Sequence, residues 1–93
     1  MRTVKYTRRF KRDYRREKLG MAGKKLDTPL MNVVDLLAAD KSLPRRCVDH
    51  QLTGDWKDHR DCHLQPDLVL IYRLTAVHIL ELVRLGSHSK LGS

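Results

Sequence analysis

Five histidines stand in this 93-residue chain, and four of them fall in or beside expected turns and strand ends. An imidazole, with an unperturbed pKa of about 6.5, can give or take a proton near neutrality. His59, Asp61 and His63 alternate, so a regular strand would carry all three on one face. Asp67 sits at the turn that follows, His50 precedes this segment and His88 follows the last strand. A three-stranded meander can bring a loop before one strand, a hairpin turn and a tail after another strand to neighbouring positions. Arg60, Arg73 and Arg84 lie in the same region, and guanidinium forks suit phosphate oxygens.

The charge is unevenly placed. Of a net +8, residues 1–25 carry eleven Lys/Arg against only Asp13 and Glu17, a local +9, and the rest of the chain is close to neutral at −1. A polyanion would meet a localised patch; an acidic protein or a membrane surface are the other partners such a patch can serve. Histidines for proton transfer, arginines for phosphate and a basic patch together meet the needs of metal-free RNA cleavage. One group takes the ribose 2′-OH proton, another protonates the departing 5′-oxygen, and a cation offsets phosphate charge.

The elements that must position these residues follow from pattern. Thr3–Tyr6 is a short edge strand, and Thr7 caps a helix in which Phe10 and Tyr14 share one face and basic residues cover the others. Gly20 and Gly23 break it. A second helix spans about residues 24–40 on the stripe Leu26, Leu30, Val33, Val34 and Leu37, its regular part opening at Thr28-Pro29 as N-cap and first position. A connection runs through Asp49-His50, residues 56–64 alternate, and Gln65-Pro66-Asp67 turns into the continuously apolar Leu68–Leu74, a central strand. Thr75-Ala76 is a short link to a last strand, Val77 to Leu85. The fold class is α+β, ordered β-α-α-β-β-β, a helical hairpin on one face of an antiparallel sheet in a single domain over residues 1–93. Gly92-Ser93 reads equally as native tail or cloning remnant.

No apolar run approaches the roughly 20 residues a membrane span needs, so no membrane partner is expected. Cys47 and Cys62 are too few for a disulfide framework, and no leader-like segment precedes the charged N-terminus; free thiols in the cytoplasm are the simplest expectation. Cys47, His50, Cys62 and His63 invite a zinc reading. However, adjacent strand residues point to opposite faces, so no metal and no cofactor is expected.

The segment DHQLTGDWKDHRDCHLQPDLVLIYRL, Asp49 to Leu74, and RLGSHS, Arg84 to Ser89, resemble the YafQ-like branch of the RelE/ParE toxin superfamily. That branch carries D-H-x-L-x-G-x-W-K-x-x-R-[DE]-x-H-x-x-P-D-x-x-L-[IV]-Y and ends in R-x-G-[ST]-H. The resemblance implies the RelE-like microbial RNase fold and a type II toxin that cuts mRNA in the A site of the 70S ribosome. It also implies restraint by a cognate antitoxin. Carried over, the acid–base set falls on His50, His63, Asp67 and His88, with Arg84 beside them as a phosphate contact and Trp56 in the scaffold or at its RNA-facing rim; Arg60 and Arg73 read either as substrate contacts or as structural ion pairs. The basic helix, through Arg8, Arg9, Lys11, Arg12, Arg15 and Arg16, would face ribosomal RNA. His50 or Asp67 is the expected base and His88 the acid. The tail departs from the family: Ser89-Lys90-Leu91 holds no aromatic where members usually carry Leu-Phe. The alternative is a member of the same fold that binds RNA or antitoxin without cutting.

Overall fold

The computed structural model describes residues 1–20, 23–76 and 78–91. The expected strand start at Val77 and the Gly92-Ser93 tail therefore lie outside the described residues. The α+β class and the expected element order hold, with two additions. Strand β1 (Thr3–Tyr6) leads into α1 (Arg8–Leu19), and α2 (Asp27–Ala38) follows a 3₁₀ turn at Gly23–Lys25. Strands β2 (His50–Gln51), β3 (Arg60–Gln65), β4 (Leu68–Ala76) and β5 (Ile79–Gly86) come next, and a helical turn, α3 (His88–Leu91), ends the chain. The sheet order is β1-β5-β4-β3-β2. Strands β2 to β5 pair antiparallel, whereas β1 runs parallel to β5, so the sheet is mixed at one edge.

Local chemistry explains most boundaries. Thr7 sits in extended conformation and its hydroxyl accepts from the Phe10 amide at 3.0 Å, capping α1 as expected. Thr28, by contrast, is no cap. The chain enters α2 directly from the 3₁₀ turn, Leu26 already has helical dihedrals, and the helix begins one residue before Thr28. His50, placed by sequence in a loop, belongs to a two-residue strand, and Thr75-Ala76 extends β4. Trp56 lies in a 3₁₀ turn (Gly54–Trp56), not in a strand.

The central strand is buried on both sides, which is why its sequence is apolar without alternation. On one face, Phe10, Leu26, Leu30, Val33, Val34 and Leu37 of the helical layer pack on Cys62, Leu70, Tyr72, Leu80, Leu82 and Leu85. On the other, Val69, Ile71 and Val83 are covered by Leu91, with Leu52 and Trp56 against them. Both helices are therefore on one face, and the second face is closed by α3 and the loop after β2. Cys47 and Cys62 are free and buried, and burial raises both thiol pKa values.

The turn between the helices depends on Gly23. A Cβ there would stand 1.9 Å from the Lys18 carbonyl oxygen and 2.8 Å from its carbon, both backbone atoms. Gly23→Ala is expected to cost about 1–3 kcal/mol or more, because the α1–α2 corner must open to admit the methyl group. Urea unfolding of the variant checks this; an unchanged midpoint would contradict it.

Candidate active site

The second sheet face carries most of the candidate residues. Strand β3 presents Asp61 and His63 on that face, in register with Ile71 and Val69 of β4, and Arg84 of β5 lies opposite Ile71. His50 pairs with Asp61 across the β2–β3 ladder. At the end of β5 the chain passes Gly86 and Ser87, whose hydroxyl accepts from the Lys90 amide at 3.2 Å, and α3 turns His88 back over the sheet. The His63 and His88 rings lie 4.9 Å apart between centroids, tilted at 55°. Leu91, buried against Val69, Ile71 and Val83, holds this turn down.

His50 is fixed from two directions. Its Nδ1 donates to the Val48 carbonyl at 3.0 Å, which leaves Nε2 as the lone-pair nitrogen. The same Nδ1 is 3.0 Å from Asp61 Oδ1. Val48 itself is in the left-handed region at φ 47°, a strained setting for a β-branched residue and of the kind found beside functional groups. On the opposite face Asp49 Oδ1 accepts from the Tyr72 hydroxyl at 2.7 Å and from Arg60 Nε at 3.2 Å. This clamp ties the two-residue strand to the sheet. Tyr72→Phe is expected to cost about 0.5–1.5 kcal/mol and to lower any activity that depends on His50. Thermal unfolding beside a rate measurement checks both; a variant matching wild type in each would remove the clamp from the account.

Asp61 is the residue that sequence reading missed. Only 1 % of it is exposed, and its Oδ1 has no hydrogen bond among the described residues. Burial raises its carboxyl pKa, and the charges of His50, His63 and His88 pull against that rise. His50 stands directly against this carboxylate, His63 is two residues along the same strand, and His88 packs on His63. The alternation His59, Asp61, His63 already placed Asp61 on this face; what sequence could not show is that Asp61 is buried while Asp67 is not. Asp67 is exposed in the two-residue turn Pro66-Asp67, beyond the last ladder pair Gln65–Leu68, and makes no hydrogen bond or ion pair to the histidines among the described residues. His59 lies further along, edge-on to Trp56 at 5.0 Å, its pKa lowered by burial and by Arg73.

The strand arginines are each held by a carboxylate. Arg60 pairs with Asp49, Arg73 with Glu81 at 2.7 Å, and Arg84 donates to Asp13 from Nε at 2.6 Å and Nη2 at 3.2 Å. Arg16 is engaged too, with Asp13, Glu17 and the Leu85 carbonyl, so it is no free surface cation. Arg8, Arg9, Lys11, Arg12 and Arg15 are exposed, and no carboxylate among the described residues pairs with them. These five form a basic stripe along α1. Trp56 is half-buried against the Val69–Ile71 cluster, a packing position. No group of three His, Cys, Asp or Glu side chains stands ready to cage a metal among the described residues. No described helix is long and apolar enough to cross a membrane.

A profile of the YafQ family, bacterial toxins of type II toxin–antitoxin systems, matches residues 2–93. The chain belongs to the YafQ toxin family. It is 36 % identical over 92 residues to the mRNA interferase toxin YafQ of Escherichia coli strain B / BL21-DE3, covering 97 % of this chain and 95 % of that one. Among solved structures, a copper-bound mutant toxin from Helicobacter pylori superposes with a TM-score of 0.86 at 35 % identity, covering 98 % of this chain and 99 % of that one. The toxin of the E. coli DinJ–YafQ complex gives 0.79 at 31 % identity over the whole of both chains. The RelE-like fold expected from the motif blocks is thereby shown, and the histidine cluster is the candidate site on it.

Proposed function

We propose that this YafQ-family protein is an mRNA endonuclease that cuts in the A site of the ribosome, in the cytoplasm, by proton transfer among His50, His63, Asp67 and His88. The observation that supports this best is the pairing of the His63 and His88 rings, 4.9 Å apart, on the sheet face where His50 stands 3.0 Å from Asp61; α1, packed on the other face, adds exposed basic residues that pair with no carboxylate among the described residues. The names of the relatives add to it: E. coli YafQ is an mRNA interferase toxin and is found with DinJ. A cognate antitoxin is accordingly the protein partner, and ribosomal RNA the partner of Arg8, Arg9, Lys11, Arg12 and Arg15.

The step balances without a cofactor. His50 Nε2 takes the 2′-OH proton, the 2′-oxygen forms a bond to phosphorus, and the bond to the 5′-oxygen breaks as His88 protonates it. The products are a 2′,3′-cyclic phosphate and a 5′-hydroxyl. His63, its ring against that of His88, shares in the proton traffic, and Asp67, from the exposed turn, orients or accepts. Arg84 is in register with Asp61 across β4; Asp13 already engages its Nε and Nη2, so its part in offsetting phosphate charge falls to Nη1. We assign Arg60 and Arg73, each paired with a carboxylate, to the frame, with Trp56 as its cover.

Proton transfer alone makes a testable demand. Phenanthroline, which removes transition metals and leaves the Mg²⁺ a ribosome needs, is expected to leave the cleavage rate on programmed ribosomes unchanged. A rate that collapses with the chelator and returns with added metal would overturn metal independence.

A further inference from the structure

We propose, resting on the nuclease reading above, that Asp61 is a positioning residue acting through charge: the Val48 carbonyl sets the His50 ring, and the walled-in Asp61 carboxylate beside it balances the charge that ring acquires as it accepts a proton. Two buried carboxylates in this chain make the argument by contrast. Asp13 is 2 % exposed and accepts from Arg84 twice, from Arg16 and from the Leu85 amide, as a carboxylate buried for structure should. Asp61 is 1 % exposed, yet its Oδ1 accepts no hydrogen bond and stands 3.0 Å from His50 Nδ1. An unpartnered buried carboxylate oxygen is costly, and a purely structural position would favour a neutral side chain.

The arrangement gives that cost a use. The Nδ1–H of His50 points at the Val48 carbonyl, so Nε2 is the atom that accepts the substrate proton. Once it has done so, the imidazolium lies against a carboxylate that solvent cannot screen. The two duties of a triad's third member are divided here: the Val48 carbonyl fixes the tautomer and Asp61 supplies the charge that stabilises the imidazolium. The groups facing Asp61 are His50 from β2, His63 on its own strand and His88 from α3, with Asp49 the other carboxylate in range. Of the three imidazoles, His50 is the one in direct reach of the carboxylate, at 3.0 Å.

The test is Asp61→Asn, which keeps the shape and removes the charge, assayed on programmed ribosomes beside wild type, His50→Ala and the double variant. The expected result is a kcat lower by about 10²-fold or more with KM nearly unchanged. The double variant should be scarcely slower than His50→Ala alone, because the carboxylate acts through that ring. Stability should move the other way. A carboxyl whose folded pKa is raised loses stability as pH rises through its titration, so the Asn variant should melt at the same or a higher temperature at neutral pH. That difference should vanish below the ordinary value of 3.8. A kcat near wild type, a full additive loss in the double variant, or a melting temperature that falls along with activity would each overturn the proposal. A wild type that cuts nothing sinks the nuclease reading itself, and is distinguished by failing before any variant is compared.

Discussion

Replacing His88 by alanine is expected to slow cleavage by about 10²–10⁴-fold while the protein stays folded. The magnitude is that of a positioned general acid, and the separation from stability follows from placement. His88 opens α3, is half-buried, and packs by its ring on His63 rather than in either core cluster. Leu91, at the end of this single turn with its amide bonded to the Ser87 carbonyl, is what anchors the helix to the sheet. The truncation therefore removes a proton donor without removing a core side chain. Single-turnover rates on programmed ribosomes, with a melting curve for each protein, check it; a rate within a factor of a few of wild type would take His88 out of the mechanism.

Replacing Asp13 by alanine is expected to be the most damaging change to stability, about 3–5 kcal/mol in a domain whose whole margin is of order 5–15 kcal/mol. Helix α1 runs along the part of β5 that β1 does not cover. Thr7 bonds to the Leu82 and Val83 carbonyls, Asp13 takes the Leu85 amide at 3.0 Å, and Arg16 takes the Leu85 carbonyl at 2.9 Å. Asp13 also holds Arg84 and Arg16, so its loss strands the Arg84 guanidinium and the Leu85 amide at once and leaves Arg16 to Glu17 and the Leu85 carbonyl. Burial by itself would raise the Asp13 carboxyl pKa, but the Arg84 hydrogen bond, the Leu85 amide and the charges of Arg84 and Arg16 outweigh it and lower the value. The sign of the linkage follows: this stabilisation is full above the ordinary 3.8 and is lost as pH falls through the lower folded value. Acid unfolding of wild type should therefore be steep below about pH 4, and the variant should lack that contribution. A melting temperature within a few degrees of wild type at neutral pH would contradict this account of the α1–β5 seam.

The sequence revealed what is decided locally. The Thr7 cap, the Phe10–Tyr14 face, the apolar run of β4 and the Pro66-Asp67 turn each rest on residues within a few positions of one another, and each stands in the structure. What escaped was decided at a distance. Arg84 reads as a free phosphate contact, and Arg60 and Arg73 as either substrate contact or ion pair, because their carboxylates are not neighbours in sequence; Asp13 is 71 residues from Arg84. The parallel pairing of β1 with β5 and the two-residue β2 are likewise long-range matters, set by which sheet edge remains open. Thr28-Pro29 carried a proper start signal, but the chain was already helical when it arrived. At the site, the motif resemblance supplied the three histidines and Asp67, and alternation placed Asp61 on their face. Burial separated the two aspartates, and burial depends on α3 and β2 closing over β3.

The central claim is that this chain cuts mRNA on the ribosome with its histidine cluster, and 5′-end mapping tests it most directly. A short defined mRNA, free or held by a paused ribosome, is exposed to the purified protein or to His88→Ala. The account predicts cuts at the paused codon only, with 5′-hydroxyl ends, nearly lost in the variant. No cuts in either condition from a folded wild type that still binds RNA or its antitoxin would contradict it and leave a binding protein on a nuclease fold.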